Sequence, residues 1–107
     1  MRAHAAEAVE HLADHSAVEL LADRMRFLAL ARGAEIVGEA AAQVPAEVRA
    51  RPTSIEFASA IAMRNRLIHG YGSVSAQILA ETIREDFPRL IASLDAALAG
   101  VLPDEAP

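Results

Sequence analysis

Leu20, Phe27, Leu30, Ala34, Val37, Ala41 and Val44 recur at steps of seven, three, four, three, four and three. That is the rhythm of one helix face, sustained for about seven turns. Ser16, with Glu19 three residues on, makes a capping box, so a long helix is predicted from Ser16 to the stop at Pro45. Ahead of it, residues 2–14 form a weaker candidate helix with Ala5, Ala8, Val9 and Leu12 on its apolar side. Beyond "AEVRARP", Pro52, Thr53 and Glu56 predict a third helix with a second capping box. Its apolar line is Phe57, Ile61 and Ile68, with Ala58 and Ala62 alongside, and Gly70 is placed for a left-handed C-terminal turn. After the loop "GYGSVS", Ser75 caps a last helix. Along it Leu79, Ile83, Phe87, Leu90, Leu94, Leu98 and Val101 step by four, four, three, four, four and three. Pro88 lies inside this pattern and predicts a kink or a break. No strand pattern competes. The expected fold is all-α: an up-and-down antiparallel bundle of four main helices, or five pieces if Pro88 breaks the last. One domain covers residues 1–102, and "PDEAP" (103–107) is a frayed, disordered tail.

Composition sharpens this picture. Apolar residues make up 53% of the 107 positions but aromatics only 4%, so alanine and leucine carry the bulk and helices should pack closely through small side chains. No stretch approaches the roughly 18 uninterrupted apolar residues of a membrane span, and the acidic N-terminal segment lacks the apolar core of a signal peptide. With no cysteine, neither disulfides nor thiolate metal sites are available. A soluble, cytoplasmic protein without a cofactor is expected. The net charge of −5, from 15 acidic and 10 basic residues, excludes nucleic-acid binding through the overall field. Any role on RNA or DNA must rest on a local cluster of arginines.

Such a cluster lies in "AMRNRLIHGYG", residues 62–72. Phe57, Ile61, position 64 and Ile68 keep the four, three, four rhythm of a packed face, and position 64 is an arginine. A guanidinium keeps its charge, so a buried one must find an anion or several acceptors. Asn65 and His69 share a helix face, and Arg66 is also near His69. Arg64 and His69 are five residues apart, about 140° around an ideal helix. They converge on one small ligand only if the helix ends near His69, or if a second copy supplies the other side.

Two readings follow. In the structural one, the arginines and histidine complement a helix C-terminus, and Arg64 pairs with Glu35 or Glu39 on the second helix; such ion-pair networks mimic active sites. In the functional one, a fixed cation, an amide and a titratable imidazole are the parts needed for phosphodiester cleavage. Arginine holds the phosphate and offsets developing charge. Histidine takes a proton from a ribose 2′-hydroxyl or gives one to the leaving oxygen. Asparagine orients either partner, and nothing in this set requires a metal.

The spacing Arg64–Asn65–x3–His69–x–Tyr71 resembles the HEPN domains and, within them, the HepT-like toxins. "AEIVGEAAAQVP" (34–45) and "ETIREDFPRLIASL" (81–94) are similar to segments that flank that family's signature, so the resemblance covers roughly residues 16–98. It implies a helical bundle that dimerises, with the two motifs facing one cleft and each subunit offering Arg64 and His69 to one RNA. It also implies a ribonuclease toxin that cuts without a metal. The implied partner is a minimal nucleotidyltransferase antitoxin that transfers AMP from ATP to the motif tyrosine. Carried over, Arg64 and His69 are catalytic, Asn65 and Arg66 support them, and Tyr71 is the AMPylation target. An AMP there would set bulk and negative charge beside the cleft, in competition with RNA phosphate for Arg64. The alternative is a non-catalytic HEPN module that binds a nucleotidyltransferase, with the motif serving structure alone; it tolerates glutamine at position 69, whereas the enzyme does not.

Other features are weaker. Glu7, His11 and His15 recur every four residues, a spacing able to hold zinc, but an exposed helix face explains them as well. "GEAAA" (38–42) reads as close helix packing through Gly38, since no strand precedes it to make a phosphate loop. Arg49 and Arg51 flank a turn and suit a solvated loop or a basic rim.

Overall fold

A computed structural model describes residues 1–49, 57–70 and 74–105. The expected cap at Thr53 with Glu56, Arg51, and the Tyr71–Gly72 pair lie outside the described residues. All the described elements are helical: α1 (Arg2–Leu12), α2 (Ala17–Ala22), α3 (Arg24–Ala42), α4 (Ala46–Arg49), α5 (Phe57–Ile68), α6 (Ala76–Glu81), a π-helical turn (Thr82–Asp86) and α7 (Phe87–Glu105). Among the described residues, no helix is long and apolar enough to cross a membrane.

The caps act where their local chemistry places them. Ser16 Oγ accepts from the Glu19 N–H while the Glu19 carboxylate accepts from the Ser16 N–H, which satisfies two donors at the start of α2. Ser75 Oγ likewise accepts from the Ile78 N–H at the start of α6. The long helix predicted from Ser16 is, however, two helices. Asp23 leaves helical geometry, with φ −122° and ψ 84°, and its carboxylate accepts from the Arg26 N–H at 3.1 Å. Aspartate competes with the helix for its own neighbouring N–H groups and so favours a cap over a helix interior. The apolar phase survives the break, and for that reason periodicity alone does not reveal it.

At the other end, Pro88 has no N–H, and its ring would meet the carbonyl four residues back, that of Arg84. The chain widens into the π turn, in which the Phe87 N–H bonds the Thr82 carbonyl five residues back. The expected kink or break thus takes the form of one wide turn directly before the proline, a recognised way of disturbing a helix without ending it. Arg84, within that turn, reaches across to donate to the carbonyls of His15 at 2.6 Å and Ala13 at 3.5 Å. Those carbonyls follow the end of α1, where Ala13 adopts φ +47°, an uncommon conformation for a residue with a Cβ. A distant arginine therefore helps to hold the strained exit of α1.

The core is built as the composition implied. Leu12, Leu30, Val37, Leu79, Ile83 and Phe87 are fully enclosed, with Ala5, Ala31, Ala34 and Ala41 filling the space between backbones. Each large side chain contributes roughly 1.5–3 kcal/mol by leaving water. The predicted stripe on the second helix is this core face from Leu20 to Ala41, with Val44 partly covered at its end. The most extensive packing joins α3 to α5, followed by that of α1 against α3 and α7. Arg26 donates to the His11 carbonyl at 2.9 Å, and Gly33 faces Ala8. α1 and α3 therefore run in opposite directions. A two-pronged Arg2–Asp95 pair ties the start of α1 to α7.

Candidate active site

The face that α5 buries differs from the predicted one, and the difference defines the site. Phe57, Ala60, Met63 and Leu67 are in the core, whereas Ile61 is only partly covered and Ile68 is 51% exposed. Beyond Phe57, which both share, the buried stripe lies one residue back from the expected line. Arg64 consequently sits at the edge of the α3–α5 seam, not in the middle of an apolar stripe.

Gly38 decides this rotation. A Cβ at Gly38 would overlap Arg64 Cβ and stand 2.5 Å from the Ala60 carbonyl oxygen. Because glycine has no side chain, α5 lies directly on the backbone of α3, and the stem of Arg64 crosses the bare position. The reading of "GEAAA" as close packing is correct; what it packs against is the arginine of the motif. Arg64 is then held beside the next residue of α3. Its Nε lies 3.4 Å from Glu39 Oε1, with the Arg64 side chain 20% exposed and that of Glu39 50% exposed. Of the two carboxylates considered from sequence, Glu39 faces Arg64, while Glu35 pairs with Arg32 at 2.8 Å.

The two partners are close but misaligned: Arg64 Nε is enclosed and makes no hydrogen bond. An enclosed donor left unbonded costs about 1–3 kcal/mol, and more on a charged group. A guanidinium does not relieve that cost by losing its proton. Arg64 is thus a fixed positive charge whose Nε edge is desolvated against Glu39 and not hydrogen-bonded by it.

The other motif residues lie outward. Asn65, Arg66 and His69 are exposed. α5 stops at Ile68, and His69 stands in the turn that follows. The Gly70 N–H bonds the Leu67 carbonyl at 3.0 Å, and Gly70 adopts φ +122°, a region that residues with a Cβ rarely enter. The helix therefore ends beside His69, which meets one of the two conditions for Arg64 and His69 to act on a single ligand. The Glu7–His11–His15 spacing does not become a metal face. α1 ends at Leu12, and the His15 ring lies 3.0 Å from the Leu12 carbonyl. Among the described residues no group of three His, Asp or Glu side chains is gathered to hold a metal.

A model of the HepT-like ribonuclease family matches residues 1–97. The chain belongs to that family. It is 33% identical over 72 residues to the probable ribonuclease HepT of Thermococcus cleftensis, covering 67% of this chain and 66% of that protein. It is 32% identical over 82 residues to a candidate RNase of Caldanaerobacter subterraneus subsp. tengcongensis, covering 77% and 73% of the two chains. A candidate RNase of Methanocaldococcus jannaschii is 27% identical over 84 residues, covering 78% and 77%. No solved structure gives a significant match.

Away from the motif, a cavity of about 430 Å³ opens between α2, the start of α3 and the start of α6, lined by Leu20, Leu21, Phe27, Val74 and Ala76 with Arg24 at its side. Val18, Leu21 and Met25 nearby are 75%, 74% and 83% exposed. Sequence reasoning missed this surface because the break at Asp23, which turns α2 relative to α3, is hidden in a continuous apolar phase. The role of Gly38 was legible only in kind, as close packing. Its partner, 26 residues later (64 − 38), leaves no local mark.

Proposed function

We propose that this HepT-like protein is a metal-independent endoribonuclease toxin of a toxin–antitoxin pair, working as a homodimer in the cytoplasm. In this reading two copies of the up-and-down bundle place their Arg64 and His69 residues about one cleft. The observation that carries it is Arg64, enclosed at Nε without a hydrogen bond at the α3–α5 seam, five residues before an exposed His69 at the helix end.

Chemically, Arg64 grips the scissile phosphate and offsets the charge that develops as the 2′-oxygen bonds to phosphorus. One His69 takes the 2′-hydroxyl proton, and the His69 of the second copy gives a proton to the departing 5′-oxygen. The P–O5′ bond breaks, leaving a 2′,3′-cyclic phosphate and a free 5′-hydroxyl. Asn65 and Arg66 support the RNA at the rim. The regulatory half of the reading assigns an adjacent minimal nucleotidyltransferase antitoxin, with ATP as AMP donor, to modify Tyr71 and so exclude RNA phosphate from Arg64.

RNA cleavage by purified protein in EDTA tests the catalytic half. Wild type should cut, and Arg64→Ala and His69→Ala should each lose at least about 100-fold, the scale of removing one transition-state donor or a general acid–base. If wild type cuts no better than either variant, the chain is a helical binding module instead. Incubation with ATP and the nucleotidyltransferase should add one AMP to Tyr71; a tyrosine left unmodified would remove the assigned off switch.

A further inference from the structure

We propose that Glu39 is the positioning residue for Arg64, bracing the guanidinium by its Nε edge so that the Nη1/Nη2 edge is presented to the RNA phosphate. This rests on the ribonuclease reading of Arg64 given above.

Three observations place Glu39 in this role. First, Gly38 brings α5 onto the backbone of α3, so that Arg64 leaves the seam beside the next residue, Glu39. Second, Arg64 Nε is enclosed, and Glu39 Oε1 stands 3.4 Å away without a hydrogen bond. A half-exposed glutamate has the freedom to close and align that contact, and catalytic hydrogen bonds commonly tighten only when substrate is bound. Third, the neighbouring carboxylate of α3, Glu35, is engaged by Arg32 at 2.8 Å, which leaves Glu39 to brace the motif arginine.

The geometry of the guanidinium then restricts how phosphate binds. Its five N–H groups form two forks, Nε with one Nη, and the two Nη together. The first fork is closed because Nε is out of reach of solvent and ligand alike. Only the second remains for a bidentate grip on two phosphate oxygens. A carboxylate at the Nε edge fixes the plane of the group and hence the direction of that fork. It also sets a negative charge near the phosphate, so Glu39 improves orientation at some loss of ground-state affinity.

These two effects separate in a pair of variants. Glu39→Gln keeps an oxygen able to accept from Nε but removes the charge, whereas Glu39→Ala removes both. In cleavage of a short RNA oligonucleotide, Glu39→Ala should lose about 10- to 100-fold in kcat, the scale of misplacing a catalytic group by about 1 Å, while its KM falls below that of wild type because the charge is gone. Glu39→Gln should fall between Glu39→Ala and wild type in kcat, with a KM below that of wild type. A spectroscopic readout accompanies the kinetics: the Arg64 Nε–H signal in ¹⁵N spectra should move and exchange faster in Glu39→Ala. Equal kcat in Glu39→Ala and wild type, or an Nε–H signal indifferent to the substitution, overturns the brace. So does an equal fall in both variants, which would assign the effect to charge alone. If wild type itself cuts no RNA, the ribonuclease reading fails. The Nε–H signal and its response to Glu39→Ala then still decide the contact, and titration with inorganic phosphate decides whether the Nη fork takes an anion.

Discussion

Replacing Gly38 by alanine adds one carbon where the α3–α5 seam has no room for it. The new Cβ would overlap Arg64 Cβ and lie 2.5 Å from the Ala60 carbonyl oxygen, about 1 Å inside an ordinary carbon–oxygen contact of roughly 3.3–3.6 Å. A carbonyl oxygen belongs to the helix backbone and has no rotamer by which to retreat, so α5 must move as a body by about that distance. Overpacking of this kind costs typically 1–3 kcal/mol, and the backbone obstacle argues for the upper end. Alanine returns up to about 1 kcal/mol through its better helix propensity, leaving a net loss of about 2 kcal/mol. For a domain of this size that lowers Tm by on the order of 10 °C. Gly33→Ala is the matched control in the same helix. Its Cβ would meet Ala8 Cβ at 3.8 Å, an ordinary contact, so the substitution should raise Tm by a few degrees through propensity alone. Thermal melts followed by far-UV circular dichroism compare the two. RNA cleavage well below both midpoints should show Gly38→Ala slowed by about 100-fold, since a shift of about 1 Å carries Arg64 with it. A Gly38→Ala protein that melts with Gly33→Ala and cuts at the wild-type rate would refute the account of the seam.

Two further outcomes are expected. Gly70→Ala should destabilise by about 1–3 kcal/mol through backbone strain, because φ is +122° and no atom of the described residues lies within 4 Å of the added Cβ; a urea midpoint equal to wild type would count against that conformation. Glu19 is held below the usual carboxylate range chiefly by the Ser16 N–H, Asp23 by the Arg26 N–H, and Asp95 by the Arg2 side chain. Groups with depressed folded pKa values stabilise fully above their unfolded values, roughly 4, and lose that contribution as pH falls through the folded ones. Urea midpoints should therefore hold with respect to these groups between pH 7 and 5 and drop towards pH 3. A variant with Glu19→Gln, Asp23→Asn and Asp95→Asn should show a shallower acid limb; an unchanged one would remove these carboxylates from the account.

Much of the fold is legible along the chain because its causes are short-range. A helix repeats within four residues, a cap reaches two or three, and a proline acts on the turn before it. Ser16 with Glu19, Ser75, the Leu20–Ala41 stripe and the disturbance at Pro88 could all be read on those terms. So could the ingredients of the site, since the Arg64-to-His69 spacing needs no fold to be recognised as a resemblance. The break at Asp23 escaped because an aspartate cap and a helix interior differ by a small local balance, and the apolar phase runs through both.

The sequence by itself determined that this protein is helical, that Ser16 and Ser75 open helices, and where its candidate chemistry is gathered, between Arg64 and His69. Only the tertiary structure decided which way α5 faces the core, and therefore that Arg64 lies at the rim of the seam beside Glu39. The physical reason is that a helix with apolar residues at positions 57, 60, 61, 63, 67 and 68 offers two nearly equal stripes. The choice between them belongs to a glycine on another helix, whose missing side chain is a vacancy only once the two backbones meet.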